Sequence, residues 1–182
     1  MADSESAVRT IRRALKVLLT FDAHKLWKTY FFEYNKPSRF IMIGKTILQY
    51  EILEQLGEGG MGVVYKAKDT KLDRFVALKF LPPSAASTDS DRQRFMQEAK
   101  AAATLSHPNI CTIYDVQEFE GQLFIAMEYI EGETLRDRKN NMSFKQSIDI
   151  GIQIAEALAA AHEKGIVHRD IKPENVMLRK DG

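Results

Sequence analysis

The stretch His168-Arg169-Asp170-Ile171-Lys172-Pro173-Glu174-Asn175 decides the fold of this chain, together with a glycine-rich run far upstream, Gly57-Glu58-Gly59-Gly60-Met61-Gly62. The upstream run fits the pattern G-x-G-x-x-G, in which glycines let backbone amides approach phosphate oxygens without a Cβ in the way. By itself this pattern is weak evidence, because a flexible hairpin turn and a dinucleotide-binding loop share its spacing.

The residues that follow the glycines separate these interpretations. A dinucleotide-binding fold requires the loop to open a helix, with an acidic residue about 20 positions later for the ribose. Here the loop leads into the strand-like run Val63–Lys68, and the residue at the appropriate distance is Lys79, in Val76-Ala77-Leu78-Lys79. The pattern therefore favours a strand–loop–strand flap over nucleotide phosphates.

In their order and spacing, the glycine loop, the Val76–Lys79 run and the His168–Asn175 stretch resemble the catalytic domain of eukaryotic-like serine/threonine protein kinases, especially its bacterial branch. The resemblance covers residues 42–182 and implies an α+β, protein-kinase-like fold. A complete five-stranded N-lobe with helix C would occupy residues 42–127, followed by a hinge at 128–132. Residues 133–182 would supply the first helices and the catalytic loop of an incomplete α-helical C-lobe.

The resemblance also implies ATP and Mg²⁺ as cofactors and Ser/Thr hydroxyls of proteins as substrates. Asp170 would accept or orient the hydroxyl proton, Lys172 would neutralise the transferring phosphate, and Asn175 would bind the second Mg²⁺ through its amide oxygen. Lys79 would reach the α/β phosphates and pair with Glu98 on helix C. The implied nucleotide-binding residues are Leu56, Gly57, Glu58, Gly59, Gly60, Met61, Gly62, Val64, Ala77, Lys79, Met127 as gatekeeper, and Glu128 and Ile130 in the hinge.

The sequence departs from the family pattern near its end. In the family, a second strand and an Asp-Phe-Gly motif with the principal magnesium aspartate follow the catalytic loop, and no Asp-Phe-Gly occurs in this sequence. We therefore expect the 182 residues to be a kinase fragment with little activity alone. The alternative is a non-catalytic fragment that binds nucleotide or a partner. An incomplete C-lobe would leave the apolar stripe of Phe144–Lys164 uncovered, which invites association.

Residue patterns predict the elements between the motifs. Ile47–Leu56, Val63–Lys68, Arg74–Leu81, Cys111–Gln117 and Gln122–Tyr129 are strand-like, and the polar turn Asp69–Asp73 predicts a hairpin. Ser87–Leu105 is helical by period, with Phe95, Ala99, Ala102 and Leu105 on one side. A second helix is predicted over Phe144–Lys164, ended by Gly165, with a buried stripe of Ile148, Ile152, Ala155, Leu158, Ala159 and His162.

Residues 1–41 form a leader in which basic side chains outnumber acidic ones. Val8, Ile11, Leu15, Leu18 and Leu19 recur at helical spacing, which predicts an amphipathic helix. Such a helix can lie on a membrane surface, dock on the neighbouring domain, or belong to a poorly ordered tail. Because the run from Met42 resembles the start of many bacterial kinases, a misplaced start is a further interpretation.

Composition excludes several classes of protein. With 45% apolar and 28% charged residues, the chain is neither collagen-like nor strongly disordered. The 26 Lys and Arg nearly balance the 25 Asp and Glu, which disfavours a nucleic-acid partner. A single cysteine, Cys111, rules out an internal disulfide and a cysteine-based zinc site, and we expect it to be buried. No run approaches the roughly 18 apolar residues of a membrane span, so a cytoplasmic location is expected for this chain, with a downstream membrane anchor in a full-length parent left open.

Overall fold

The computed structural model describes residues 15–17, 42–59, 62–82 and 88–180, and for 15–17 it describes the backbone only. Gly60 and Met61 of the glycine loop lie outside the described residues, and so does the leader apart from residues 15–17. The described chain falls into two compact units. The first contains residues 42–100 and 113–129, and the second contains 15–17, 101–112 and 130–180.

The first unit is built on a six-stranded antiparallel sheet, and the second carries a three-stranded one. The strands are β1 (Leu15–Val17), β2 (Thr46–Ile47), β3 (Tyr50–Gly59), β4 (Gly62–Asp69), β5 (Arg74–Phe80), β6 (Ile113–Phe119), β7 (Gln122–Glu128), β8 (Gly132–Thr134) and β9 (Val176–Arg179). The helices are α1 (Asp89–Ala103), α2 (Leu135–Arg138) and α3 (Phe144–Glu163), with 3₁₀ turns at Lys139–Asn141 and Pro173–Asn175. The six strands lie in the order β2-β3-β4-β5-β7-β6, and the three in the order β1-β9-β8.

Turn chemistry fixes the hairpins of the large sheet. Between β4 and β5, the buried Asp69 carboxylate accepts the backbone N–H groups of Lys71 and Leu72, and Asp73 adopts a positive φ of 50°. The predicted hairpin is therefore confirmed. The prediction of one strand over Ile47–Leu56 is wrong at its start, because Leu48, with φ 54°, turns the chain and separates β2 from β3.

One face of the large sheet carries the core of the first unit. Alternate residues of the paired strands meet there, as strand geometry requires. Phe80 stacks on Phe124 with ring centroids 5.0 Å apart, and Tyr50 and Tyr65 approach these two rings edge-on. The buried members of this cluster are Ile47, Tyr50, Ile52, Tyr65, Ala67, Val76, Leu78, Phe80, Phe124 and Ala126.

Helix α1 begins two residues later than predicted and ends two residues earlier. Thr88 caps it, since its hydroxyl oxygen accepts the N–H of Asp91 at 3.1 Å while its O–H donates to the Asp91 carboxylate at 2.7 Å. Ala99 and Ala102 are buried, as the period predicted.

Helix α3 begins at a capping box, in which the Ser143 hydroxyl accepts the N–H of Gln146 and the Gln146 side chain accepts the N–H of Ser143. Its end is marked by Gly165, with φ 72°, as predicted. No helix among the described residues is long and apolar enough to cross a membrane.

The predicted buried stripe of α3 is wrong. Ile148 and Ile152 are about half exposed (48% and 52%), and His162 is exposed as well. The buried positions are Gln153, Ala157 and Ala161, which recur every fourth residue and so share one face. Small alanines permit close packing, and the Gln153 amide is buried because Asn109 donates to its oxygen at 3.0 Å.

The leader prediction is also corrected where the structure describes the leader. Leu15–Val17 is a strand, β1, and it pairs antiparallel with β9 with Leu15 opposite Leu178 and Val17 opposite Val176. The apolar–basic–apolar alternation Leu-Lys-Val suits a strand as well as a helix over so short a run, and long-range pairing decides between them. The helical prediction for the remainder of 1–41 lies outside the described residues.

Candidate active site

The loop 166–175 brings three of the predicted catalytic residues into direct contact within the second unit. The Lys172 ammonium lies 2.8 Å from Asp170 Oδ2, and the Asn175 amide nitrogen donates to the same oxygen at 2.9 Å. Asn175 also donates to the backbone carbonyl of Asp170 at 2.9 Å. These partners are two and five residues from Asp170, so the local course of the loop is enough to bring them together.

His168 lies beneath the loop in the interior and hydrogen-bonds its backbone. It is almost fully buried (3% exposed), and its Nδ1 accepts the backbone N–H of Asp170 at 3.1 Å. An accepting Nδ1 places the ring proton on Nε2 in the neutral imidazole. The intervening Arg169 has a φ of 61°, in the left-handed region that non-glycine residues rarely occupy. The strained backbone and the buried imidazole together fix the direction of the Asp170 backbone.

The charge of Asp170 is set by opposing effects. Burial raises the pKa of its carboxyl group, but hydrogen bonds from Lys172 and Asn175 and the positive charge of Lys172 outweigh burial. The net result is a pKa below the ordinary value for aspartate. Asp170 is therefore ionised throughout the neutral range, in the state that accepts a proton.

The predicted nucleotide-binding strand residues share one face of the large sheet in the first unit. In the antiparallel register Val64 lies opposite Lys79, and Ala77 lies opposite Met127. Since directly opposed residues point to the same side and residues two apart do likewise, these four side chains lie on the face opposite the core. Ala77 and Met127 are buried, whereas Val64 and Lys79 are partly exposed.

The glycines of the loop differ in what surrounds them. A Cβ built on Gly57 or Gly59 would meet no atom within 4 Å, so both backbones border open space. A Cβ on Gly62 would lie 1.8 Å from the carbonyl oxygen of Phe80, and Gly62 has a φ of 104°. Gly57 and Gly59 thus leave room for a ligand, whereas Gly62 is required by the close approach of β4 to β5. Leu56 and Glu58 are exposed beside them.

The expected Lys79–Glu98 ion pair is not formed among the described residues. Glu98 is exposed on α1 and belongs to no ion pair between described residues. Its neighbour Ala99 is fully buried, and consecutive helical residues point about 100° apart, so the buried face of α1 turns Glu98 toward water. An exposed pair would contribute only about 0–1 kcal/mol in any case.

The hinge residues fall on both sides of the boundary between the units. Glu128 ends β7 in the first unit, and Ile130, which is buried, begins the second. Between them Tyr129 meets the Phe75 ring edge-on, with centroids 6.5 Å apart.

Lys66 is a residue of this face that motif reasoning missed. It lies opposite Ala77 and Glu54, and its Nζ stands 4.6 Å from the Tyr129 ring centroid and 3.4 Å from a Glu54 oxygen. Burial works to lower the pKa of Lys66, but Tyr129 and Glu54 raise it overall. The signal was present in the sequence, since Lys66 follows Val64 by two residues and so shares its side of the strand.

Asn109 and Gln153 form a second missed pair, this time in the second unit. Both are almost fully buried, and their amides join the loop before β6 to α3. No motif marks them, because the residues are 44 positions apart.

The donor chemistry of the loop fits part of a magnesium site. Asn175 directs its amide nitrogen to Asp170, which leaves its side-chain oxygen for a cation, and Mg²⁺ prefers such oxygens. Among the described residues, no three His, Cys, Asp or Glu side chains converge as a metal site. Asn175 and Asp170 can therefore supply only some of the ligands of a magnesium ion.

Comparison with known proteins gives one consistent result. The family model "Protein kinase domain" matches residues 50–182. The chain is 44% identical over 145 residues to a probable serine/threonine-protein kinase of Clostridium perfringens, covering 78% of this chain and 21% of that protein. It is also 44% identical over 142 residues to the serine/threonine-protein kinase PrkC of Bacillus subtilis, covering 76% of this chain and 22% of PrkC.

A solved structure agrees with the sequence comparisons. The PknI kinase domain of Mycobacterium tuberculosis superposes with a TM-score of 0.67 at 37% identity, covering 75% of this chain and 57% of that one. The chain thus spans about a fifth of the length of these two curated relatives and somewhat over half of a kinase domain of known structure.

Proposed function

The chain belongs to the protein kinase domain family, among serine/threonine kinases of the bacterial type, and from this premise we propose that it carries the residues for ATP-dependent phosphorylation of protein Ser/Thr hydroxyls. The observation that carries the proposal is the Asp170 carboxylate held by Lys172 and Asn175 in a single loop. An ionised carboxylate beside a fixed ammonium group is what proton acceptance next to a transferring phosphoryl group requires.

Each loop residue has a distinct role in this proposal. The substrate hydroxyl oxygen bonds to the γ-phosphorus while the bond to the β–γ bridging oxygen breaks, which gives a phosphoester and ADP. Asp170 takes the hydroxyl proton, and Lys172 moves from Asp170 toward the transferring phosphoryl oxygens. Asn175 holds Asp170 through its nitrogen and offers its oxygen to Mg²⁺, which when bound neutralises phosphate charge.

The first unit supplies nucleotide binding in the same proposal. Gly57 and Gly59 leave their backbone amides accessible to phosphate oxygens, in line with the open space around them. Val64, Ala77 and Met127 offer apolar surface for adenine on the face that also carries Lys79. The main chain at Glu128 and Ile130 would hydrogen-bond the adenine edge, as the family resemblance implies.

We further propose that the 182 residues alone transfer phosphate very slowly. Kinase catalysis requires both the lysine–glutamate pair and the magnesium aspartate of Asp-Phe-Gly to be in place. Glu98 is exposed and forms no ion pair with Lys79, and the sequence contains no Asp-Phe-Gly. The same two observations favour the alternative function, a kinase-like fragment that binds nucleotide or a partner without catalysis. For partner binding, the exposed side chains of Phe144, Ile148 and Ile152 on α3 offer an apolar surface.

Calorimetric titration with ATP and Mg²⁺, followed by a radiolabelled phosphoryl-transfer assay on a basic protein, tests these proposals. We expect a dissociation constant for ATP between about 1 μM and 1 mM. Lys79→Met should raise this constant at least tenfold, and the control Lys68→Met, on the same face of the sheet, should leave it unchanged. Failure to bind the nucleotide would refute the nucleotide-binding role.

The transfer assay separates the two functions. Slow incorporation of label that Asp170→Asn abolishes supports the kinase function. Binding with no Asp170-dependent incorporation supports the alternative. Turnover of about 1–100 per second would contradict the proposed low activity.

A further inference from the structure

We propose that Lys66 is a positioning residue for nucleotide binding, whose ammonium group holds the Tyr129 side chain and thereby the start of the hinge. The inference rests on the proposed nucleotide-binding function and adds to it a residue that belongs to no motif. The Lys66 Nζ lies 4.6 Å from the Tyr129 ring centroid and 4.8 Å from the Phe75 ring centroid. A Glu54 carboxylate oxygen lies 3.4 Å from the same nitrogen. These four side chains, the Lys66 cluster, all belong to the first unit.

The register of the large sheet brings the Lys66 cluster together. Lys66 on β4 lies opposite Glu54 on β3 and opposite Ala77 on β5. Phe75 lies two residues before Ala77, so its side chain is on the same face of the sheet. Tyr129 directly follows β7, and its ring meets the Phe75 ring edge-on with centroids 6.5 Å apart. The cluster therefore joins three neighbouring strands to the first residue after β7.

The ammonium group is the centre of the cluster because each of its three neighbours attracts a positive charge. Aromatic rings do so through the negative charge on their faces, and Glu54 does so through its carboxylate. Burial works against the charged form, but Tyr129 and Glu54 raise the pKa of Lys66 overall, so the ammonium group stays charged at neutral pH. This charge restrains the Tyr129 ring in addition to its edge contact with Phe75.

The Lys66 cluster borders the surface proposed for adenine. In the antiparallel register Ala77 lies between Lys66 on one side and Met127 on the other. Tyr129 stands between the two hinge residues whose main chain would hydrogen-bond the adenine edge. A restrained Tyr129 side chain limits rotation of the backbone on both sides of that residue. Lys66 thus acts on adenine binding through Tyr129.

The position of Lys66 separates its role from that of Lys79. Along β4, Val64 lies between Lys66 and the glycine loop, and Val64 is the residue opposite Lys79. Residues two apart on a strand are separated by about 6.5–7 Å, so Lys66 lies farther than Val64 from the loop proposed to cover the phosphates. Lys79 is placed for the phosphate end of the nucleotide and Lys66 for the adenine end. The two lysines therefore predict different responses to a ligand without phosphates.

Titration of the whole chain with two ligands tests this difference: ATP with Mg²⁺, followed by calorimetry, and adenosine, followed by NMR. Lys66→Met keeps the aliphatic stem and removes the charge. It should raise both dissociation constants about threefold to tenfold, because two ring contacts worth about twofold to fivefold each are lost. Lys66→Arg keeps a cation over the rings and should stay within about twofold of the unsubstituted chain. Lys79→Met should raise the constant for ATP alone.

Lys68→Met is the matched control. Lys68 lies two residues farther along β4 on the same face, and its ammonium group pairs with Asp73 at 2.7 Å. Loss of its charge should leave both constants unchanged. Thermal unfolding followed by circular dichroism shows that each variant is folded at the temperature of the titrations.

Three outcomes would overturn the inference. If Lys66→Met changes neither constant while Lys79→Met still weakens ATP, the inference fails and the proposed function stands. If Lys66→Met weakens ATP but not adenosine, Lys66 acts on the phosphates and not on the hinge. If the unsubstituted chain binds neither ligand, the proposed function fails together with the inference.

A double-mutant cycle tests the route through Tyr129. Tyr129→Leu removes the ring, so adding Lys66→Met to it should change the dissociation constant for ATP by less than about twofold. If the two substitutions instead multiply their separate effects, Lys66 acts independently of Tyr129, and its assignment as a positioning residue for the hinge is wrong.

Discussion

Gly62→Ala should destabilise the first unit although the residue lies in a loop motif associated with ligand binding. The Cβ of alanine would lie 1.8 Å from the Phe80 carbonyl oxygen and 3.0 Å from its carbon. Both are backbone atoms, so no rotamer change can relieve the contact. In the sheet Val63, the next residue, lies opposite Phe80, and the start of β4 would have to separate from the end of β5.

The magnitude follows from two costs. A φ of 104° is strained for any residue with a Cβ, at about 1–3 kcal/mol, and forcing an extra carbon into a packed position costs about 1–3 kcal/mol. Together they predict a loss of about 2–6 kcal/mol in the free energy of unfolding of this unit. For a domain of 60–100 residues, even about 2 kcal/mol lowers the Tm by about 8 °C or more.

Gly57→Ala is the matched control, because a Cβ there meets nothing within 4 Å and its φ is not positive. A compatible Gly→Ala change stabilises a protein by about 0.4–1 kcal/mol through the unfolded state. Thermal unfolding followed by circular dichroism, with hydrogen exchange at β4 and β5 to identify the unit, measures both variants. Equal melting temperatures for the two variants would refute the packing role of Gly62.

Three further predictions concern the second unit. Folding lowers the pKa of Asp170, so its contribution to stability is present above the ordinary aspartate pKa of about 3.9 and is lost as the pH falls through the lowered value. When the free energy of unfolding is measured against pH, Asp170→Asn should therefore show a shallower decline below about pH 4 than the unsubstituted chain. Parallel curves for the two proteins would contradict this. Asn109→Ala should cost about 1–3 kcal/mol by leaving the buried Gln153 amide without its donor, and a double-mutant cycle with Gln153→Ala measured by urea unfolding should show coupling rather than additive losses. Ser143→Ala should cost about 1 kcal/mol through loss of the α3 cap, whereas the control Ser147→Ala, which removes only a bond to a backbone carbonyl, should change the urea midpoint little.

Much of the candidate site could be predicted because its contacts are local. Lys172 and Asn175 lie within five residues of Asp170, so the loop motif brings them together whatever surrounds it. The common face of Val64, Ala77 and Lys79 follows equally from strand alternation once the hairpin is recognised. The same strand alternation also places Lys66 on this face, although no motif includes it.

Errors arose where distant segments compete for space. The stripe predicted for α3 centred on Ile148 and Ile152, yet Ala157 and Ala161 are the buried apolar residues, because small side chains allow close packing there. The helix period predicted the buried side of α1 correctly, and the expected pairing of Glu98 with Lys79 failed because Glu98 is exposed beside the buried Ala99.

The sequence by itself identified the protein kinase family, because the order and spacing of its motifs can be read along the chain: a glycine loop, a strand lysine and a loop with His168-Arg169-Asp170. Tertiary structure alone decided that Gly62 is a packing glycine, that Glu98 is exposed rather than paired with Lys79, and that Leu15–Val17 pairs with β9. Each of these three features depends on which residues that are distant in sequence pack against the residue concerned. Periodicity and propensity describe a chain only over a few turns, whereas such contacts are settled by packing across the whole fold.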